Sequence, residues 1–153
     1  MKIKIVGGSK AKQAMVLLAC EFYANLLMSK RLGRVVDLEI HFLKNMIKKS
    51  GANGMCEWLD RNDRPRSFII ILDAGMDMQD TVQVLAHEMV HLKQSSTGEM
   101  TRLEHVEPWL LRWHGRRINF AGVGYKDWPW EIEACDREKG LAEQFWDERL
   151  AEI

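Results

Sequence analysis

The sequence predicts an α+β fold. Three observations carry that expectation. Short alternating or β-branched apolar runs occupy residues 2–6, 36–42 and 67–72. A long stretch with apolar residues at helical spacing separates the first two runs. Two more helical stretches lie in the second half, one starting at Asp77 or Asp80 and one near Pro129.

Taken in order, residues 2–6 form a short strand that Gly7 and Gly8 end. Ser9 can cap a helix running to about Lys30, with Met15, Leu18, Phe22 and Leu26 on one face, and Gly33 stops it. Val36, Leu38, Ile40 and Phe42 alternate with Asp37, Glu39 and His41, the pattern of a half-buried strand. Residues 51–54 make a turn, 55–59 a second strand, and 62–65 another turn. Residues 67–72 are β-branched and apolar enough for a well-buried third strand. A helix from Asp77 or Asp80 to about Gln94 comes next. Residues 95–128 show no regular pattern. Proline is favourable in a first helical turn, so a last helix starts near Pro129 and runs towards Leu150.

At 153 residues, without repeat, low-complexity tract or linker, the chain reads as one unit, residues 1–153. Twenty-two basic and twenty-two acidic residues cancel. That balance leaves no broad footprint for nucleic acid or an anionic membrane. Cys20, Cys56 and Cys135 are odd in number and far apart, which suits free thiols in a reducing, cytoplasmic setting. The apolar run at residues 14–20 is interrupted by Glu21 and continues as an amphipathic helix, so it is read as folded and not as a signal peptide. No stretch approaches a membrane span.

The chemistry is concentrated at His87-Glu88-Met89-Val90-His91. Residues four apart share a helical face, so His87 and His91 can direct two imidazoles at one ion. Glu88 stands beside the first ligand, where its carboxylate can reach a metal-activated water as general base. Val84, Leu85, Met89, Val90 and Leu92 would bury most of this helix, and buried imidazoles need partners.

A catalytic zinc takes a third protein ligand and keeps one open position. Glu131 and His105 compete for that role. On the last helix Ala134, Cys135, Leu141, Ala142 and Phe145 define an apolar stripe. Glu131 falls near its middle, while Glu133 points to the opposite face. A carboxylate on a buried face is costly unless it is paired or binds metal, which favours Glu131. Glu138, two turns on, can orient a ligand histidine or sit at the core margin beside a basic residue. His105 follows His91 by fourteen residues but lies between Glu104 and Glu107, as a solvated loop histidine would.

With these residues in place, the chain resembles the zincin metallopeptidases. The stretches from His87 to Gln94 and from Tyr125 to Ala134, including Pro129-Trp130-Glu131-Ile132-Glu133-Ala134, are similar to small phage-encoded metallopeptidases, as is the intervening Trp113-His114-Gly115. The Glu-x-x-Ala arrangement is also similar to gluzincins such as the ImmA/IrrE-like peptidases, in which that glutamate, here Glu131, ligates zinc. SprT-like peptidases, with a histidine about fifteen residues after the motif, are a rival resemblance that fits His105. That family's cysteine pairs are absent, however, and its spacing leaves Glu131 unexplained.

The resemblance covers roughly the second half. It implies a minimal zincin fold and a zinc-dependent peptidase in a bacterial or phage-infected cytoplasm. Zn2+ would be held by His87, His91 and Glu131, with Glu88 as general base. It also implies that a protein or peptide substrate lies as an added strand along the sheet edge, for which residues 68–72 are the expected counterpart. Tyr125 and His114 are candidate donors to the developing oxyanion, although a packed tyrosine and a surface histidine are the plainer readings. Oligomeric state and substrate identity are not encoded in these motifs.

Overall fold

The computed structural model describes residues 1–151. Three strands run parallel: β1 (Lys2–Val6), β2 (Asp37–Leu43) and β4 (Ser67–Asp73). β3 (Gly54–Trp58) pairs antiparallel with β4, so the sheet order is β1-β2-β4-β3. The fold is α+β, as the pattern predicted.

Register decides which face of this sheet is covered. Leu38 pairs with Phe68, Ile40 with Ile70 and Phe42 with Leu72, and all six are buried. Their alternates Asp37, Glu39 and His41 remain at least partly open. Period two therefore places these six side chains on one side, while Leu43, Ile69 and Ile71 alternate to the other and are less buried. Two helices, α1 (Lys10–Leu27) and α4 (Met78–Ser96), supply the covering layer, and α5 (Pro129–Ala151) packs against α4. Phe22 meets Tyr23 and Phe145 edge-on where α1 and α5 approach, and the Tyr23 hydroxyl donates to the Val82 carbonyl at 3.0 Å.

Local chemistry explains the helix starts. The Ser9 hydroxyl accepts from the Lys12 N–H at 3.2 Å, and the Asp77 carboxylate accepts from the Asp80 N–H at 2.8 Å. Asp77, the earlier of the two candidates, is therefore the cap of α4.

Several sequence expectations change. The first helix ends at Leu27, because Ser29 opens a separate helix α2 (Lys30–Val35) by accepting from the Leu32 N–H at 3.1 Å. Gly33 lies inside α2 and stops nothing. A short helix α3 (Met46–Ser50) precedes the turn at 51–54. The stretch read as irregular contains a second, antiparallel sheet: β5 (Met100–Arg102), β6 (Leu110–Trp113) and β7 (Arg116–Asn119), followed by a 3-10 turn at Tyr125–Asp127. Strands of three or four residues are too short for alternation to register, whereas their cross-strand pairing is a tertiary property. The β6–β7 hairpin turns through His114 and Gly115, both at positive φ (47° and 81°), as a tight two-residue turn requires. Among the described residues, no helix is long and apolar enough to cross a membrane.

Candidate metal centre

The site forms where α4 faces α5. Spacing of four puts His87 and His91 on one side of α4, with ring centroids 4.8 Å apart. The facing turn of α5 contributes Glu131. His87 Nε2 lies 3.1 Å from Glu131 Oε2, His91 Nε2 lies 3.0 Å from Glu131 Oε1, and the two Nε2 atoms are 3.1 Å apart. Tetrahedral zinc with bonds of about 2.0–2.1 Å separates its donors by about 3.3 Å. The three side chains thus present a nearly correct triangle of two nitrogens and a carboxylate. A divalent ion fits this donor set.

Each imidazole is also fixed from behind. His87 Nδ1 donates to Glu138 Oε2 at 2.9 Å, and His91 Nδ1 donates to Gln94 Oε1 at 2.9 Å. Both interactions place the proton on Nδ1 and aim Nε2 at the shared point. Glu138 thereby takes the orienting role, in place of the margin-of-core alternative.

Gln94 was not identified from the sequence, although it sits three residues after His91 on the same helical face. It is fully buried, and its Nε2 donates to the Trp130 carbonyl at 3.0 Å and to Glu133 Oε1 at 2.8 Å. These donations fix the amide's orientation, so Oε1 is the atom left for His91. Glu133 is correspondingly half-buried and bonded across the helix interface, and does not face solvent as its helical angle suggested. Replacing Gln94 with Ala is expected to weaken metal affinity by about 10–100-fold while the fold persists. Competition against a chromophoric chelator measures it, and unchanged affinity would remove Gln94 from the site.

Electrostatics follow from packing three carboxylates around two imidazoles. Burial opposes charge on His87, but the Glu131 hydrogen bond and the Glu88, Glu131 and Glu138 carboxylates outweigh it, raising the imidazole to about 9. His91 is raised by the same balance, with burial opposed chiefly by Glu131. Burial also works against the charged form of Glu131, yet hydrogen bonds from His87, His91 and Tyr125 hold it down at about 2. Without metal, the centre is an ion cluster in which protons stand where a cation would bind.

An ion must displace the proton that His87 holds up to about 9. Affinity therefore rises with pH by about tenfold per unit for each proton displaced, and levels off above that value. Metal titrations at several pH values check this, and a flat profile between neutrality and pH 9 would contradict it.

Glu88 differs from its neighbours. It is 5 % exposed, and burial pushes its carboxyl up to about 7 against the pull of His91 and His87. Among the described residues no hydrogen-bond donor engages it. Gly54, the first residue of β3, leaves it room: a Cβ there would stand 2.5 Å from Val84 Cγ1 and 2.9 Å from Glu88 Oε1. This close approach of strand and helix is a second feature that spacing alone did not reveal. A carboxyl that changes protonation near neutrality, unengaged by protein donors beside two imidazoles, is suited to accepting and returning a proton.

Glu88, His91 and Glu131 open onto a cleft of about 950 Å3. The β3 edge forms one wall, and the second sheet with its following turn forms the other, contributing Met100, Leu111, Trp109, Phe120 and Tyr125. Trp128 and Trp130 complete the apolar lining. Trp109 is held at φ 62°, an uncommon conformation for a bulky residue. Tyr125 is mostly exposed but points its hydroxyl at Glu131; partial burial first, and that carboxylate second, raise its pKa.

The remaining candidates fall outside the cluster. His105 is exposed in the β5–β6 connection and does not line the cleft. His114 is exposed at the hairpin turn, edge-on to Trp113. Cys135, placed on the apolar stripe by its helical angle, is instead exposed, while Ala134, Leu141, Ala142 and Phe145 are buried. Comparison with protein-family models, curated proteins and solved structures returns no match.

Proposed function

We propose that the chain is a zinc-dependent metallopeptidase in which His87, His91 and Glu131 hold the ion and Glu88 is the general base. The observation that carries this reading is the convergence of two imidazole Nε2 atoms and the Glu131 carboxylate to 3.0–3.1 Å, with Glu88 buried beside them. An ordinary ion cluster has no need of a further, unengaged carboxyl at the mouth of a cleft.

When bound, zinc acidifies a water and polarises the carbonyl of the bond to be cut. Everything else is done by the chain. Glu88 takes the proton of the attacking water and delivers it to the departing amine. Glu138 and Gln94 hold the imidazoles so that neither ring turns away. The Tyr125 hydroxyl, at the rim, is placed to donate to negative charge developing on the carbonyl oxygen.

The peptide is expected along β3. Residues 68–72, the counterpart suggested by sequence, belong to β4, which is already paired with β2 on one side and β3 on the other. Among the described residues β3 has only one partner strand, and its residues 54–58 line the cleft. Its open edge can accept a backbone strand, while Trp58, Trp128 and Trp130 provide an apolar floor for bulky side chains. The free thiols of Cys20, Cys56 and Cys135 suit a reducing cytoplasm.

The deciding experiment is metal analysis of wild type beside Glu131→Gln and His105→Ala. One zinc per chain is expected in wild type and His105→Ala, with loss in Glu131→Gln. Retained zinc in Glu131→Gln together with loss in His105→Ala would transfer the third ligand to His105.

A further inference from the structure

The donor set described above leaves one neighbouring metal-binding group without a role. Cys135 follows Glu131 by one helical turn on α5 and precedes Glu138 by another, so all three share a face. Both carboxylates bond the same imidazole, Glu131 at Nε2 and Glu138 at Nδ1. The thiol is therefore carried alongside His87. One donor atom each from His87, Glu131 and Cys135 lie within 4.8 Å of one another.

We infer that the centre contains a second, thiolate-bearing donor set, His87, Glu131 and Cys135, which captures soft thiophilic cations such as Cd2+. The inference rests on the proposed metal centre, because two of the three donors are shared. The sets differ in one ligand: the His91 imidazole in the first, the Cys135 sulfur in the second. Zinc accepts imidazole and thiolate alike, whereas a softer ion such as Cd2+ favours the set that carries the sulfur.

The geometry requires little movement. A sulfur at about 2.3 Å and a nitrogen at about 2.0–2.1 Å from one tetrahedral ion stand about 3.6 Å apart. Closing the present spacing to that value takes a displacement of about an ångström. Cys135 is exposed, and its sulfur moves about a single side-chain torsion. His87 and Glu131 need not leave their positions.

The test uses the full chain, stripped of metal and titrated with Cd2+ alone while the thiolate-to-cadmium absorption is followed in the ultraviolet. Wild type should develop the band and saturate at one cadmium per chain. Cys135→Ser should lose the band but keep its zinc content, because the zinc set does not use the thiol. Cys56→Ser, which removes the thiol that lines the cleft, should retain the band. Cadmium uptake by wild type without the band, a band that survives Cys135→Ser, or zinc loss in that variant would each overturn the inference. Zinc bound with no cadmium band defeats only this inference; a chain that takes up neither ion defeats the zinc reading as well.

Discussion

A Glu88→Gln variant is expected to keep its zinc and lose about 10²–10⁴-fold in turnover of any peptide the wild type cleaves. The amide has nearly the same shape but cannot take a proton from water. The substitution should not unfold the chain. Burial raises the Glu88 carboxyl to about 7, so the folded state holds this proton more tightly than the unfolded state, and its charged form opposes folding as pH rises. A neutral side chain removes that cost, so metal-free Glu88→Gln should melt at or above the wild-type temperature at pH 8. Turnover at the wild-type rate would end the general-base assignment, whatever the metal content.

The second large effect is expected at His87, which is held at both ring nitrogens by carboxylates. His87→Ala should abolish zinc binding and weaken the metal-free fold. Removing one partner of a buried charged pair costs about 3–5 kcal/mol. The lower end applies because Glu131 keeps its contact with His91 at 3.0 Å. Zinc at a thousandfold over its dissociation constant adds about 4 kcal/mol to wild-type stability. The gap between the two proteins should therefore widen in thermal melts when zinc is present. Equal melting temperatures and equal zinc content would remove His87 from the centre.

Much of this site was legible in the chain. A helix repeats nearly every four residues, so His87 and His91 had to share a face wherever that helix packed. The same angular argument set Glu131 among apolar neighbours and gave it a reason to be bound. It failed for Cys135 and Glu133, because a helical angle names a direction and not what lies there. Cys135 stays exposed although its thiol lies beside His87, and Glu133 points at an amide supplied by the other helix. Gln94 could have been found as the next residue along the ligand face. Its role could not, since it depends on Trp130 and Glu133 being across the interface.

The sequence by itself determined the α+β class, the central strands and the two-histidine face, because periodicities of 2.0 and 3.6 act within a few residues. Tertiary structure alone decided the rest. It made β3 the open edge in place of β4, built the second sheet from strands too short to announce themselves, and brought Gly54 against Glu88. Those outcomes depend on which elements meet across tens of residues, where pairing and close packing operate and local pattern carries no record.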